Sequence, residues 1–148
     1  MRTADGSEPT HWLLPINPAA HAEHQPADWR ERYDATGVWK AIGQSQPIDR
    51  WCLNSGFRTM RPGDVIWAYL SQRQDICAVG VVRNIAHEDG WIVYLDWDSE
   101  RTAHLCRDPL PRRAFGQVPM STCRADARAA AVLSQWYEET GTLWEAPK

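Results

Sequence analysis

The clearest pattern in the chain is the strict two-residue alternation after Asp64. Val65, Trp67, Tyr69 and Ser71 fall on one face of an extended segment, and Ile66, Ala68 and Leu70 on the other. This predicts a strand over Asp64–Ser71. The preceding Arg61-Pro62-Gly63-Asp64 reads as a turn, with proline preset for its second position and glycine tolerant of positive φ. Gln72 to Asp75 is a tight polar turn, and Ile76–Arg83 is a valine-rich second strand, so the two form a hairpin. Trp91–Trp97 (WIVYLDW) predicts a third strand and Thr102–Arg107 a fourth. Near the start, the apolar run His11–Ile16 predicts an opening strand, ended at Asn17-Pro18 because the proline ring pushes Asn17 out of helical conformation.

Two segments carry helical spacing instead. In the first, Pro26–Ala35, proline suits the first turn, Trp29 and Tyr33 lie at i, i+4, and Gly37 follows the end. In the second, Thr122–Glu139, Ala129, Val132, Leu133, Trp136 and Tyr137 share a face, with Ser121 or Thr122 as N-cap and Gly141 beyond the end. Ile48 to Arg61 reads as a short helix or an irregular segment. Residues 1–10 read as a loose polar tail, and residues 11–148 as one domain. The order of strand, helix, successive strands and helix predicts an α+β fold with a mostly antiparallel, curved sheet or small barrel.

Composition changes this picture in two ways. The chain has 148 residues, enough for one substantial core, yet nine of them are tryptophan. A small core does not need nine, so some are expected to sit partly exposed as stacking surfaces. The net charge of −3 argues against a protein that grips nucleic acid mainly through phosphates. The charge is uneven, however. Lys40 to Arg83 holds six basic and three acidic residues, whereas Asn84 to Glu100 holds five acidic residues and no Lys or Arg. The four cysteines have no C-x-x-C spacing, no leader or membrane span is evident, and a reducing cytoplasm is expected.

Three ordered segments resemble the EVE domain of the PUA-like superfamily. They are HWLLPINP at His11–Pro18, MRPGDVIWAYLS at Met60–Ser71 and AVGVV at Ala78–Val82, and VPMST at Val118–Thr122 is similar to that family's closing element. The resemblance spans about residues 11 to 138 and implies a PUA-like sheet or barrel flanked by helices. It also implies a monomeric, non-catalytic reader of nucleic acid bearing a modified base, with 5-methylcytosine in DNA the expected ligand, base flipping the mode, and a nuclease a possible functional link. A more distant likeness to the YTH domain places Val38-Trp39 at the position of one cage wall and Asn17 at that of a base-edge contact. The loop that carries the second cage tryptophan in that family is shortened here to about His87 to Gly90.

The chemistry of base reading asks for flat apolar walls around an unstacked base and polar groups on its edge. Trp39 is the expected wall, with Tyr69 or Trp51 opposite, and Asn17, Ser71 or Asp75 bonds the edge. Arg58, Arg61 and Arg73, in the net-basic stretch, are the expected phosphate contacts. Each has a plainer reading too: Trp51 as a core anchor, Tyr69 as core, Asn17 and Asp75 as turn residues, and the arginines as solvated surface. Neither His21 with His24 nor His104 with Cys106 matches a zinc spacing, so no metal and no cofactor are expected. Nucleotide loops and a nucleophile elbow are absent. The alternatives are a reader of modified RNA, a protein-interaction module using exposed tryptophans, and a small hydrolase of modified nucleosides. The last would need a nucleophile beside a Lys or Glu, and Lys40 is the only internal lysine.

Overall fold

The computed structural model describes residues 9–16, 50–53, 59–70, 74–87, 91–119 and 122–145. Their strands are β1 (His11–Ile16), β2 (Arg50–Leu53), β3 (Val65–Leu70), β4 (Asp75–His87), β5 (Trp91–Trp97), β6 (Leu110–Pro111) and β7 (Cys123–Arg124). The helices are α1 (Ser99–Arg107), α2 (Arg112–Phe115) and α3 (Ala127–Glu145). The fold is α+β. The strands form one sheet in the order β2-β5-β4-β3-β1-β7, with β6 joined to β4. Bulges at Ala68/Tyr69 and Val82/Asn84 bend it. The sheet is not closed into a barrel, because β2 and β7 end the order among the described residues.

Alternation in β3 sorts its side chains as the sequence implies. Val65, Trp67 and Tyr69 join Leu13, Ile76 and Val79 on the face covered by α3, through Ala129, Leu133 and Tyr137. Ile66 packs with Trp12, Leu14, Val82, Val93 and Leu95 on the other face, and Ala68 and Leu70 pack with Ile16, Cys77 and Ala78. Both faces of β3 are buried, so it is the central strand of the core.

The pairing of β1 with β3 is parallel, His11 opposite Val65 through Ile16 opposite Leu70, and every other pairing among the described strands is antiparallel. One carboxylate locks the start of this pair. Asp64 is buried, and it accepts from the backbone of Thr10 (3.0 Å), the indole Nε1 of Trp12 (3.0 Å) and the backbone of Arg61 (2.9 Å). Thr10, at the end of the expected tail, is therefore tied down. Gly63 takes φ of 96°, as the turn requires.

Four expectations are corrected. The fourth strand, Thr102–Arg107, is the helix α1. Asp98 caps it by accepting from Arg101 N at 3.0 Å, and Thr102, Leu105 and Cys106 are buried at helical spacing. The capped turn also serves the edge of β4 where β5 departs. Val79 N–H donates to the Thr102 hydroxyl (3.1 Å), and Asp98 N–H donates to the Val79 carbonyl (2.9 Å). A side chain at Gly80 would lie 2.8 Å from the Asp96 carbonyl, so glycine permits this close departure. Arg50–Leu53, expected to be helical or irregular, is β2 on the edge beside β5. The last helix starts at Ala127, not Thr122: Cys123–Arg124 first pairs with β1, and Asp126 supplies the cap by accepting from Ala129 N at 2.8 Å. Gly141 lies within that helix, which runs on to Glu145. Elsewhere, Ile76–Arg83 extends to Asp75–His87, and the helix expected over Pro26–Ala35 lies outside the described residues.

Arg101 of α1 joins it to α3. The Arg101 guanidinium lies 3.8 Å from the centre of the Tyr137 ring, bonds the Tyr137 carbonyl and the Thr140 hydroxyl, and pairs with Asp98 at 2.7 Å.

Candidate functional site

At the turn end of the β3–β4 hairpin the sheet gathers polar groups that a core does not require. β3 ends at Tyr69 and Leu70, which pair with Ile76 and Asp75. Between them Gln74 takes φ of 56°, a left-handed conformation uncommon outside glycine. Its N–H donates to the Leu70 carbonyl (2.7 Å), and its carbonyl accepts from Arg112 N (2.9 Å). The short β6 pairs Leu110 and Pro111 with Ile76 and Asp75, which brings the first turn of α2 beside the hairpin. Arg112 and Phe115 arrive with it.

Tyr69 and Asp75 are each only 1% exposed. The Tyr69 ring meets Phe115 edge-on, with centroids 6.3 Å apart. Its ring is thus held by core packing, and the hydroxyl is the part of it that remains chemically uncommitted. That hydroxyl is buried without a hydrogen-bond partner among the described residues, which ordinarily costs about 1–3 kcal/mol. Burial pushes the Tyr69 pKa above its usual value of 10.0; the Arg112 charge opposes this and the Asp75 carboxylate adds to it. The hydroxyl therefore stays protonated and able to donate at physiological pH.

Of the residues the sequence singles out, Tyr69 and Asp75 lie at the same end of the hairpin but on opposite faces, Tyr69 paired with Ile76 of one core cluster and Asp75 with Leu70 of the other. Arg61 is exposed at the opposite end of β3, roughly 13 Å or more away along the strand. Trp51 is in β2, in register with Val93. Asn17, Trp39, Arg58, Ser71 and Arg73 lie outside the described residues. Sequence reasoning missed Arg112 and Phe115, whose only local signal is a Pro-flanked stretch that reads as loop. Of the tryptophans with described side chains, Trp12 and Trp67 are fully buried and Trp97 and Trp136 are half-buried. Cys77 and Cys106 are buried and not joined in a disulfide, and the Cys106 thiol donates to the Cys77 carbonyl at 3.7 Å. Among the described residues no three His, Cys, Asp or Glu side chains are grouped to hold a metal, and no helix is long and apolar enough to cross a membrane.

A second buried polar pair supports the frame. Trp67 Nε1 donates to Nδ1 of His11 at 2.9 Å, so the neutral imidazole carries its proton on Nε2. Burial pulls the His11 pKa below its ordinary 6.5, against the Asp64 charge, which raises it. The folded protein thus binds this proton less readily than the unfolded chain. Stability is present above the unfolded pKa and falls as pH drops through and below 6.5. We expect the urea midpoint to be lower at about pH 5.5 than at about pH 7.5, and this drop to shrink in His11→Asn, whose side-chain oxygen accepts without titrating. An equal drop in both proteins would assign the acid sensitivity to other groups.

Comparison with protein-family models finds no match, and comparisons with curated proteins and with solved structures find none either.

Proposed function

We propose that this chain reads a modified base in nucleic acid without catalysing a reaction, and that the base is 5-methylcytosine in DNA, taken up by flipping. The sequence resemblance to EVE domains suggests it. The observation that carries it is the Tyr69 hydroxyl, a donor buried without a hydrogen-bond partner among the described residues at one end of a curved sheet. An unstacked base needs such a donor, and a purely structural hairpin end does not. In this reading Trp39 supplies a stacking wall, Tyr69 or Trp51 closes the opposite side, and Asn17, Ser71 or Asp75 bonds the base edge. Arg58, Arg61 and Arg73 contact phosphates and position the strand. The protein acts as a cytoplasmic monomer and marks methylated sites for a partner such as a nuclease.

Energetics divide the work. A buried 5-methyl group contributes at most ~0.8 kcal/mol, roughly fourfold in affinity, so stacking and edge contacts must supply most of the binding. Filter binding with matched methylated and plain DNA duplexes, and with RNA, at several salt concentrations tests the reading. Preference for methylated DNA supports it, preference for modified RNA moves it to the alternative, and equal weak binding to all removes it. Within that assay Trp39→Ala should lose the stacking contribution of ~1–3 kcal/mol, roughly 5- to 150-fold in affinity for methylated DNA. Binding to plain DNA should change little, because that mode relies on phosphates. If the variant unfolds while its folded fraction binds methylated DNA normally, Trp39 belongs to the core and another residue walls the base.

A further inference from the structure

Taking the class of partner from the base-reading proposal, we infer that a basic face built from α2, β7 and the first turn of α3 holds the phosphate backbone of the nucleic acid. From Arg112 to Arg128 the chain carries four arginines, no lysine and one acidic residue, Asp126, although its net charge is −3. Arg112, Arg113, Arg124 and Arg128 are all exposed, and their side chains make no hydrogen bond or ion pair among the described residues. Arg83 and Arg101, by contrast, are paired with Asp96 and Asp98.

The fold assembles the four from two segments. Phe115 of α2 and Ala129 of α3 belong to one core cluster, so the short helix packs on the start of the long one. Gln117 ties the segments together: its amide nitrogen donates to the Arg124 carbonyl (3.1 Å), and its side-chain oxygen accepts from Asp126 N–H (2.7 Å). The Arg128 guanidinium lies against Gly116, where a Cβ would stand 2.9 Å from its Nη1 and where φ is 86°. Glycine is thus required there on both counts. The one carboxylate of the segment, Asp126, is turned to Ala129 N–H as the cap of α3. The face also borders the turn end of the β3–β4 hairpin, because Arg112 N–H donates to the Gln74 carbonyl (2.9 Å) and Phe115 meets the Tyr69 ring. A strand held on it passes the end of the sheet at which the Tyr69 hydroxyl lies.

The chemistry favours phosphate. A guanidinium is permanently charged, and its planar fork of N–H donors matches two phosphate oxygens at once. A membrane surface fits less well, since it asks for apolar side chains that enter the bilayer beside the charges. Here Phe115 is fully buried, and Val118 is the exposed large hydrophobic residue among the described ones.

The test is Arg113→Gln combined with Arg124→Gln, two exposed positions at which the melting temperature should not move. The probes are a duplex carrying one 5-methylcytosine and its unmethylated match, at salt from about 50 to about 200 mM. Each lost phosphate contact lowers the slope of log affinity against log salt by about 0.9. The double variant should therefore lose about two from that slope and about 100-fold in affinity at about 50 mM salt, for both duplexes alike. Arg83→Gln, which removes a charge away from this face, should change little. If the double variant does not fold, either single change decides, with a slope lower by about one. An unchanged slope overturns the inference and leaves base reading standing if the methylated preference persists. A loss per charge equalled by Arg83→Gln also overturns it, because the charge of the whole molecule is then responsible. If the unaltered protein binds both duplexes equally and the double variant loses the slope, the base-reading proposal fails and the phosphate face stands. If the unaltered protein binds no duplex and no RNA but sediments with phosphatidylserine vesicles, the face serves a membrane and the inference is overturned.

Discussion

Replacing Asp64 by alanine is expected to destabilise the fold by about 3–5 kcal/mol. Its carboxylate is buried and accepts three hydrogen bonds, from Thr10 N, Arg61 N and the Trp12 indole. Removing it strands those donors together. Trp12 is fully buried, so its Nε1 cannot turn to water, whereas the two backbone groups are only partly buried and recover some hydration. The loss falls where the chain entering β1 is fastened to the turn that starts β3, and the parallel pairing depends on that junction. Since small domains are stable by about 5–15 kcal/mol in all, the variant should unfold at markedly lower urea and be partly unfolded near body temperature. Asp64→Asn keeps one acceptor but presents an amine to donors, so it should lose less. A loss below about 1 kcal/mol in Asp64→Ala would mean that backbone pairing alone fastens the junction.

Trp67→Ala should cost a similar ~3–5 kcal/mol by a different mechanism. Trp67 is fully buried at the centre of β3, edge-on to Trp136 (5.5 Å) and Tyr137 (6.1 Å) of α3. Truncation opens a cavity between sheet and helix and leaves Nδ1 of buried His11 without its donor. Trp67→Phe keeps most of the volume and should recover a substantial part of the loss, leaving the missing hydrogen bond of about 1 kcal/mol and imperfect filling. Near-ultraviolet circular dichroism should weaken in both variants, because the coupled ring geometry is disturbed. If Trp67→Ala lost no more stability than Trp67→Phe, packing against α3 would not be what holds that helix. Under the proposed base reading, folded Asp64→Ala should bind methylated DNA as the unaltered protein does, since Asp64 lies at the opposite end of β3 from Tyr69.

Several features were legible in local pattern. Strand character over Val65–Leu70, the side on which each of its residues lies, the glycine turn before it and the strand Trp91–Trp97 all follow from neighbours within a few residues. The pairing of Leu70 with Asp75 also belongs to this class, because a hairpin brings residues five apart in sequence together by itself. The sequence also contained the signal for α1, which alternation obscured. Asp98 can cap, and residues 102, 105 and 106 have helical spacing, while T-A-H-L-C-R also scans as a strand.

What tertiary structure decided is what requires distant segments to meet. Arg50–Leu53 is a strand because β5 offers it an edge, and its own residues do not impose that choice. The parallel partnership of β1 and β3 joins segments more than fifty residues apart, for which no local periodicity exists. Thr102 is held in its helix where its hydroxyl accepts from Val79 N–H and donates to the Val79 carbonyl, which also accepts from Asp98 N–H. Arg112 and Phe115 reach Tyr69 only because β6 docks on β4. Local propensity is set by side-chain sterics and periodicity, so sequence alone determined which segments are extended and which of their sides are apolar. Partner choice depends on burying those sides and satisfying their edges collectively, and that balance exists only in the folded chain.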